Sequence, residues 1–430
     1  MNRKEKREIR KDKDLVKELY AIIIKYLPNL LNMFGELKDV RNQSYITYKM
    51  KTICVTRLFG LLCGITTMTN ITDEFDSEIA IKNLSVIAKQ ELKELPHHDT
   101  ISDVFEHLSI DELRNIQKYI VKTLIRSKMF DRFRYKNAFQ LVFDGTGYSN
   151  HNYDLNDNCL FRKHKDGTVS YYKYVLECKL VIGNIVISLD SEFIENSDIS
   201  NETAKQDCEI NAFKRMVERI KSNYPKQKFI ITGDALYATT PVINICKEYK
   251  WFYIFNLKKD RLKIVYEDFI DNVNYHNETV LSNYFLLTNY IWNDNTFNVL
   301  KFIDTKNNVN IEFNYITNIK TNNDNIKSIV TLARQRWRIE NEGFNIQKNG
   351  TFNISHLSSR NDIAMKAHYF FIQFAHTIRQ LLDNGSILVR ELKLKLKEIS
   401  KFLTKLLTST TSDLSNSETN FQLRFDDFII

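Results

Sequence analysis

Glycine, proline and cysteine are all scarce in this chain of 430 residues, which contains 11, 4 and 6 of them respectively. So little glycine and proline excludes a collagen-like or loop-rich architecture, and no repeat with a period of about 20–50 residues indicates a solenoid. The cysteines are scattered, with no Cys-x-x-Cys pair and no Cys/His cluster at zinc spacing. They therefore predict buried free thiols in a reducing compartment rather than a zinc module or a disulfide framework.

The sequence also lacks an uninterrupted apolar run long enough to cross a membrane. Its first residues are charged rather than apolar, so no signal peptide is expected. Hydrophobic residues make up 43% of the chain and charged residues 27%, with a net charge of +8. This balance predicts a globular, cytoplasmic protein, and the net positive charge suits a polyanionic partner, although many globular proteins that bind no nucleic acid are similarly basic.

The hydrophobic periodicity divides the chain into three parts. From residue 15 to about residue 133 apolar residues recur at steps of three and four, which predicts an all-helical unit over residues 1–135 that could bind DNA. Residues 136–385 combine strand-like and helical segments. Residues 386–430 predict a helix over 387–407, strongly basic on one side, and a mobile Ser/Thr/Asn-rich tail.

The middle part has the order strand, hairpin, helix, strand, helix, strand. This order predicts an α/β fold of the RNase H-like type, a mixed sheet flanked by helices. Residues from about 262 to 320 interrupt that rhythm and predict a β-rich insertion. The predicted segments are Ala138–Phe143, Ser170–Ile182, Ile185–Leu189, Ala204–Ser222, Phe229–Thr232, Thr240–Tyr249, Trp251–Asn256 and, in the insertion, Thr279–Ile291, Phe297–Ile303 and Val309–Ile316.

Two aspartates follow apolar, β-branched segments in this region. Asp144 closes Leu-Val-Phe-Asp-Gly and Asp234 closes Phe-Ile-Ile-Thr-Gly-Asp. An aspartate before a turn is common without any catalytic role. Two buried carboxylates at one end of a sheet, however, need compensating charge, and Mg²⁺ prefers such oxygen ligands.

A third acidic residue lies in the sequence Arg-Trp-Arg-Ile-Glu at positions 336–340, on a helix predicted to begin near Asp324. Glu340 lies beside the apolar stripe of this helix, whereas Glu342, two positions further, lies about 200° round it. Glu340 is therefore the better candidate for a site on the sheet, and Glu342 is interpreted as solvated. The stripe that should face the sheet comprises Ile326, Val330, Ala333 and Trp337.

The string from Arg336 to Glu340, with a following Phe and Lys, resembles the signature of bacterial insertion-sequence transposases of the DDE class typed by a Tyr-Arg-Glu-Lys pattern. The two aspartates and the β-rich insertion before the glutamate also match that group, over roughly residues 138–382. The resemblance implies that Asp144, Asp234 and Glu340 are catalytic and bind two Mg²⁺, with Mn²⁺ possible. Arg336 and Lys348 would then contact DNA phosphates near the cleavage point.

Two positions depart from the pattern of that group. Its tyrosine falls on Ala333, and its lysine, expected seven residues after the glutamate, falls on Gln347, one position before Lys348. An ordinary salt bridge between Arg336 and Glu340 is the simpler interpretation of that pair alone.

Three further residues are candidates for DNA binding. Trp292, in the insertion, is either a core residue or a platform for a base flipped out at the element end, as the resemblance suggests. Lys258 and Lys259 follow the last core strand and either line a DNA channel or form a solvated turn.

The sequence thus predicts a DNA transposase that cuts the ends of its element and joins them to target DNA. Its partners would be double-stranded DNA, at the terminal inverted repeats and at the target, and a second copy of the chain in a homodimer. One alternative is a non-catalytic, decayed or co-opted protein that occupies element ends. Another is a structure-specific nuclease on the same fold.

Overall fold

The computed structural model describes most of the chain, and the account below concerns those residues alone. The first 12 residues, the start of the helix predicted from Ala204 and parts of the C-terminal tail lie outside them. The described ranges are 13–155, 158–196, 208–276, 279–281, 283–306, 309–414 and 422–426.

Between residues 15 and 133 the chain forms helices joined by short connections, as the periodicity predicts. Asp14 caps the first helix by accepting hydrogen bonds from the backbone N–H groups of Val16 and Lys17. These helices bury their apolar faces against one another and against the sheet. Their bounds are Leu15–Tyr26 (α1), Leu30–Glu36 (α2), Met50–Leu62 (α3), Met68–Glu74 (α4), Glu78–Ala88 (α5), His98–Phe105 (α6) and Ile110–Arg126 (α7).

A single mixed sheet of ten strands follows. The strand order is β2-β3-β1-β5-β6-β10-β9-β8-β7. The remaining strand, β4, pairs with the same edge of β3 as β2 does, but along a different part of that strand. The strands are Ala138–His151 (β1), Leu160–Lys163 (β2), Val169–Ile182 (β3), Ile185–Ile194 (β4), Lys228–Gly233 (β5), Phe252–Asn256 (β6), Thr279–Leu281 (β7), Tyr284–Trp292 (β8), Asn295–Lys306 (β9) and Val309–Thr317 (β10).

The centre of this sheet has the RNase H-like arrangement that the sequence predicts. Strands β1, β3 and β4 are antiparallel neighbours, and β1, β5 and β6 run parallel. The parallel strands need helical crossovers, which are supplied by α8 (Glu209–Asn223) and α9 (Thr240–Tyr249). Alternate residues of β1 face opposite layers, so Phe143 packs on Phe213 of α8 while Val142 packs on the C-terminal half of the chain.

The insertion is not a separate module, because β10 pairs with β6 and extends the central sheet. It also begins with a helix that the sequence does not predict, α10 (Lys263–His276). The composition of this segment does not indicate a helix. Val265 and Phe269, which lie one turn apart, are nevertheless fully buried. Tertiary packing of that apolar face decides its conformation.

The C-terminal half adds α11 (Ile326–Arg334), a π-helix (Ile339–Asn345), α12 (Ile346–Asn349) and α13 (Asp362–Gly385). The single helix predicted over 387–407 is two helices, α14 (Ile387–Leu392) and α15 (Leu396–Ser409), separated at Lys393, which has a positive φ of 48°. Across the described residues, no helix has the length and apolarity that crossing a membrane requires. No disulfide bond joins the six cysteines, all of which the structure describes, and all but Cys208 are buried.

Candidate active site

The pairing of β1 with β5 brings Asp144 and Asp234 side by side. Val142 pairs with Thr232 in this parallel register, and each aspartate lies two residues farther along the chain. Because neighbouring strands are about 4.8 Å apart, both carboxylates belong to the same end of the sheet. Asp234 directly follows β5, but Asp144 does not end its strand as expected, since β1 continues to His151 in its pairing with β3.

Backbone hydrogen bonds orient both aspartates. Oδ1 of Asp144 accepts from the N–H of Gly145 at 3.0 Å. Oδ1 of Asp234 accepts from the N–H of Leu236 at 2.8 Å and so caps the short 3₁₀ turn Ala235–Tyr237. Each carboxylate is therefore oriented by the backbone of its own segment, which is mid-strand for Asp144 and a strand end for Asp234.

Glu340 reaches the site from the opposite layer, on the π-helix. Ile339 and Phe344 of this helix pack against Val142 of β1, next to Asp144 on the same face of the strand. Arg336 links the two acids, because its Nη1 lies 3.1 Å from Oε1 of Glu340 and 3.6 Å from Oδ2 of Asp144. The salt bridge that is the simpler interpretation of Arg336 and Glu340 is therefore present, and its guanidinium also contacts Asp144.

The predicted apolar stripe is correct up to Ala333 and wrong at Trp337, which is 48% exposed. The regular helix ends at Arg334, and the next backbone bonds join residues three apart, such as Arg336 N–H to Ala333 O. This tighter turn rotates Arg336 inward and Trp337 outward. The tighter turn, rather than the α-helical stripe, therefore explains why Glu340 reaches the site. Glu342 instead forms an ion pair with Arg338 at 2.9 Å.

The site concentrates negative charge around Asp144. Burial raises the pKa of Asp144 to about 7; Arg336 opposes this shift, whereas the charges of Glu209, Glu340 and Asp234 add to it. All three of these acids therefore lie within electrostatic reach of Asp144. A cluster of partly buried carboxylates with one guanidinium among them favours binding of further cations.

The donor set fits hard divalent cations, which prefer carboxylate oxygens and retain waters or phosphate oxygens as further ligands. The three predicted ligands do not form a compact single-ion site. Among the described residues, only the group His97, His98 and Asp99, where two members are exposed, brings three candidate ligand atoms within 4.8 Å of one another. The carboxylates around Asp144 are spaced more widely, with Arg336 between two of them.

The sequence analysis does not single out a fourth acid near Asp144, Glu209, which begins α8. Its Oε1 accepts a hydrogen bond of 2.6 Å from the hydroxyl of Tyr237. A Cβ on Gly145 would lie 2.6 Å from Oε2 of Glu209 and 2.5 Å from the ring of Tyr174. Nothing in the local sequence marks Glu209, because its position near Asp144 arises only when α8 packs across the sheet.

Lys348 also reaches the site, despite its one-residue offset from the family pattern. Burial lowers the pKa of Lys348, and the negative charge of Asp144 opposes that shift, so the two groups lie within electrostatic reach of each other. A π-helix accommodates one more residue per turn than an α-helix, which rotates the following residues by one position. Gln347 consequently faces the core, fully buried against Gln373 and His376, and Lys348 faces the site.

The remaining predicted DNA-binding residues occupy different ends of the sheet. Lys258 and Lys259 are exposed and follow β6, which runs parallel to β5, so they lie at the same end as Asp234. Trp292 ends β8 opposite Asn295, at the end of the sheet where β6 begins. It is partly buried against the core, and the structure does not bring it to the carboxylates of its own chain.

Comparison with known proteins agrees with the fold and with the clustered carboxylates described above. A family model described as transposase DDE domain group 1 matches residues 30–425. No curated protein gives a match. The family match does not test membership of the Tyr-Arg-Glu-Lys group, which stays a prediction. Because the match spans the helical unit, the sheet with its clustered carboxylates and the C-terminal helices, the chain belongs to the DDE transposase family.

Proposed function

We propose that this transposase cuts DNA at the ends of its element and joins the freed ends to target DNA, using two divalent ions held by Asp144, Asp234 and Glu340. The observation that carries the proposal is the register of β1 and β5, which sets two aspartates side by side, together with the contact of Arg336 with both Asp144 and Glu340. Mg²⁺ is the expected ion, with Mn²⁺ able to replace it.

When bound, a pair of such ions activates the attacking oxygen and stabilises the leaving oxygen of an in-line displacement at phosphorus. Water would be the first nucleophile, releasing a 3′-hydroxyl, and that hydroxyl would then attack a phosphodiester of the target. Both displacements would break one P–O bond and form another.

The chain's own cations would position the phosphates. Arg336 is 8% exposed and already lies between two acids, so its guanidinium is held in place before DNA arrives. A fork of N–H donors suits phosphate oxygens as well as carboxylates. Lys348 adds a second positive charge beside Asp144, and Lys258 and Lys259 would guide DNA towards the same end of the sheet.

The partners would be double-stranded DNA, both at the terminal inverted repeats and at the target, and a second copy of the chain. Bringing two ends together calls for a homodimer. We place the protein in the cytoplasm, associated with the nucleoid when DNA is bound.

The test uses a donor plasmid that carries the DNA flanking the gene, with purified protein and Mg²⁺ or Mn²⁺. Each of the substitutions Asp144→Asn, Asp234→Asn and Glu340→Gln should reduce cleavage by more than about 100-fold. Loss of a residue that only orients a metal ligand reduces activity by up to about 100-fold, and loss of a ligand itself should cost more. Binding of the same DNA, measured by gel shift, should persist.

Glu342→Gln is the matched control, because Glu342 lies on the same π-helix but pairs with Arg338; it should cleave as wild type does. Cleavage at the wild-type rate by any of the three site variants would remove that residue from the mechanism. Binding without cleavage by the wild-type protein would support the non-catalytic alternative, and cleavage without preference for the flanking ends would support a structure-specific nuclease.

A further inference from the structure

A basic groove adjoins the site on the side of Lys348. It has a volume of about 780 Å³ and lies between the loop after α3, the segment after the π-helix and one face of α15. We call it the α15 groove. Its lining includes Lys348, Lys397, Lys401, Lys405, Glu74, Thr66, Asn349, Thr351 and Asn353.

The positive charge of this groove comes mainly from α15. Lys397, Lys401 and Lys405 recur at steps of four, so they share one face of the helix, with successive lysines about 6 Å apart along its axis. All three are exposed. On one strand of duplex DNA, every second phosphate lies about 6.8 Å farther along the helix axis. The spacing of the lysines is close to this value, so the row suits the phosphates of a DNA strand.

The groove contains little negative charge to neutralise these lysines. Glu74 is the one acidic residue among those that line it. The ion pairs of the described chain do not use Lys397, Lys401 or Lys405, whereas Glu398, on the same helix, accepts from the backbone N–H of Lys395. Their ammonium groups are therefore available to an anionic partner.

The uncharged lining residues are also suited to phosphate. Thr66, Thr351, Asn349 and Asn353 line the groove and carry hydroxyl or amide donors, of which the amide of Asn349 also donates to Oδ1 of Asn345. Lysines with such donors and no aromatic platform favour contacts with the sugar–phosphate backbone over contacts with base edges. The groove should consequently bind DNA with little regard to sequence.

The walls of the groove are held in place by the protein itself. Arg379, which is buried, donates from Nη1 to the carbonyl of Leu62 at 2.8 Å and to Oγ of Ser400 at 2.8 Å. Thr404 donates to the carbonyl of Cys63 at 3.2 Å. These bonds tie α15 to the end of α3, so the lysines are organised before a ligand binds.

Lys348 connects the groove to the acids, because it both lines the groove and lies within electrostatic reach of Asp144. We propose that the α15 groove binds the sugar–phosphate backbone of the duplex that leads away from the scissile phosphate. The position of the scissile phosphate in this proposal rests on the proposed function. The groove itself is proposed to bind DNA, not to take part in catalysis.

The test compares two triple variants of the full-length protein. K397A/K401A/K405A removes the row on α15. K214A/K226A/K228A removes three exposed lysines on α8 and on the segment that enters β5, away from the carboxyl end of that strand. Binding of a fluorescent mixed-sequence duplex is measured by anisotropy without divalent ions, between about 50 and 200 mM salt.

Each lysine–phosphate contact contributes about 0.9 to the slope of log K against log salt concentration. The groove variant should therefore lose about 2 to 3 from the magnitude of that slope, and the control variant should keep the wild-type slope. Equal slopes for wild type and groove variant would overturn the proposal. Should the triple variant fail to fold, Lys401→Glu alone should still weaken binding, and unchanged binding by that variant would also overturn it.

Plasmid cleavage by the wild type, measured in parallel, separates the two proposals. Cleavage together with an unchanged slope in the groove variant refutes the groove alone. A reduced slope in that variant, with no cleavage by the wild type under either metal, refutes the catalytic proposal and leaves the groove as a DNA-binding surface.

Discussion

Gly145 shows at the scale of one residue how tightly the acids of the site are packed. A Cβ at this position would lie 2.5 Å from the ring of Tyr174 and 2.6 Å from Oε2 of Glu209. Gly147, two residues along the same strand, has room, since the atom nearest to a Cβ there would be the carbonyl oxygen of Lys173, at 3.7 Å. The glycine after Asp144 is therefore required by a close approach, rather than by the turn that the sequence suggested.

We expect Gly145→Ala to displace Tyr174 or Glu209 and to lower the free energy of unfolding by about 1–3 kcal/mol, as overpacking does. DNA cleavage should fall as well, because the displaced groups surround Asp144. Gly147→Ala is the control and should change both quantities little. Urea denaturation and plasmid cleavage measure the two effects, and equal behaviour of the two alanine variants would contradict this account.

His376 is a second residue whose chemistry depends on its surroundings. It is buried, and burial, with the charges of Lys179 and Arg379, holds its pKa well below the ordinary value of 6.5. Its Nδ1 accepts from Nε2 of Gln347 at 3.0 Å. The folded protein therefore keeps this imidazole neutral.

This depressed pKa predicts how stability changes with pH. The unfolded chain binds a proton on His376 below about pH 6.5 while the folded chain does not. Its contribution is thus fully present above pH 6.5 and is lost as the pH falls, by up to about 1.4 kcal/mol per pH unit. His376→Asn, which keeps an acceptor for Gln347, should make the free energy of unfolding fall less between pH 7.5 and 5.5, measured by urea denaturation. Equal decreases in wild type and variant would disprove it.

The π-helix is the element that assembles the site. Its additional residue explains why Lys348, rather than Gln347, lies beside Asp144. Gly343 lets it pack closely on β3, since a Cβ there would lie 3.2 Å from Cε of Lys179. The Arg-Trp-Arg-Ile-Glu string gives no sign of this departure from α-helical geometry, because local propensity does not distinguish the two forms; packing against the sheet does.

A buried ion pair within β3 is the centre of a hydrogen-bond network behind the site. Glu177 and Lys179 are fully buried and lie 3.1 Å apart. Glu177 also accepts from the hydroxyls of Ser188, Ser191 and Tyr369. This network holds β3, β4 and α13 together under the π-helix.

Removing only the cation should be costly. Lys179→Met leaves a buried carboxylate without a counter-charge and should lower the free energy of unfolding by about 3–5 kcal/mol. The double variant K179M/E177Q removes both charges and should recover most of that loss. Urea denaturation of wild type, single and double variants gives the values; a single variant as stable as wild type would show that the pair has no structural role.

At the scale of the whole molecule, helix α13 connects the helical unit, the sheet and the C-terminal helices. It is 24 residues long and buried over most of its surface. Arg379 bonds to the end of α3, and Gln380 bonds to the N–H and carbonyl of Val186 in β4. Asn83 of the helical unit donates to the carbonyl of Leu407 at 2.9 Å. The division of the chain into three parts stays a prediction. The three parts contact one another extensively.

These contacts place the charged surfaces relative to the acids. Lys258 and Lys259 lie at the carboxyl end of β5 and β6, while the α15 groove adjoins Lys348. A DNA path along both would pass the carboxylates between two basic surfaces. Trp292 lies away from this path in its own chain, so its proposed role in base stacking would have to involve DNA held elsewhere.

The sequence by itself indicated the order of the core strands and their crossover helices, the three candidate acidic residues and the family, because hydrophobic periodicity and short motifs are local properties of the chain. Only the tertiary structure decided that β1 continues past Asp144, that Trp337 faces solvent, that Lys348 reaches the site and that Glu209 belongs to it. Each of these outcomes depends on packing between segments far apart in sequence. Such packing can override local pattern, since burying an apolar face outweighs the small conformational preferences of single residues.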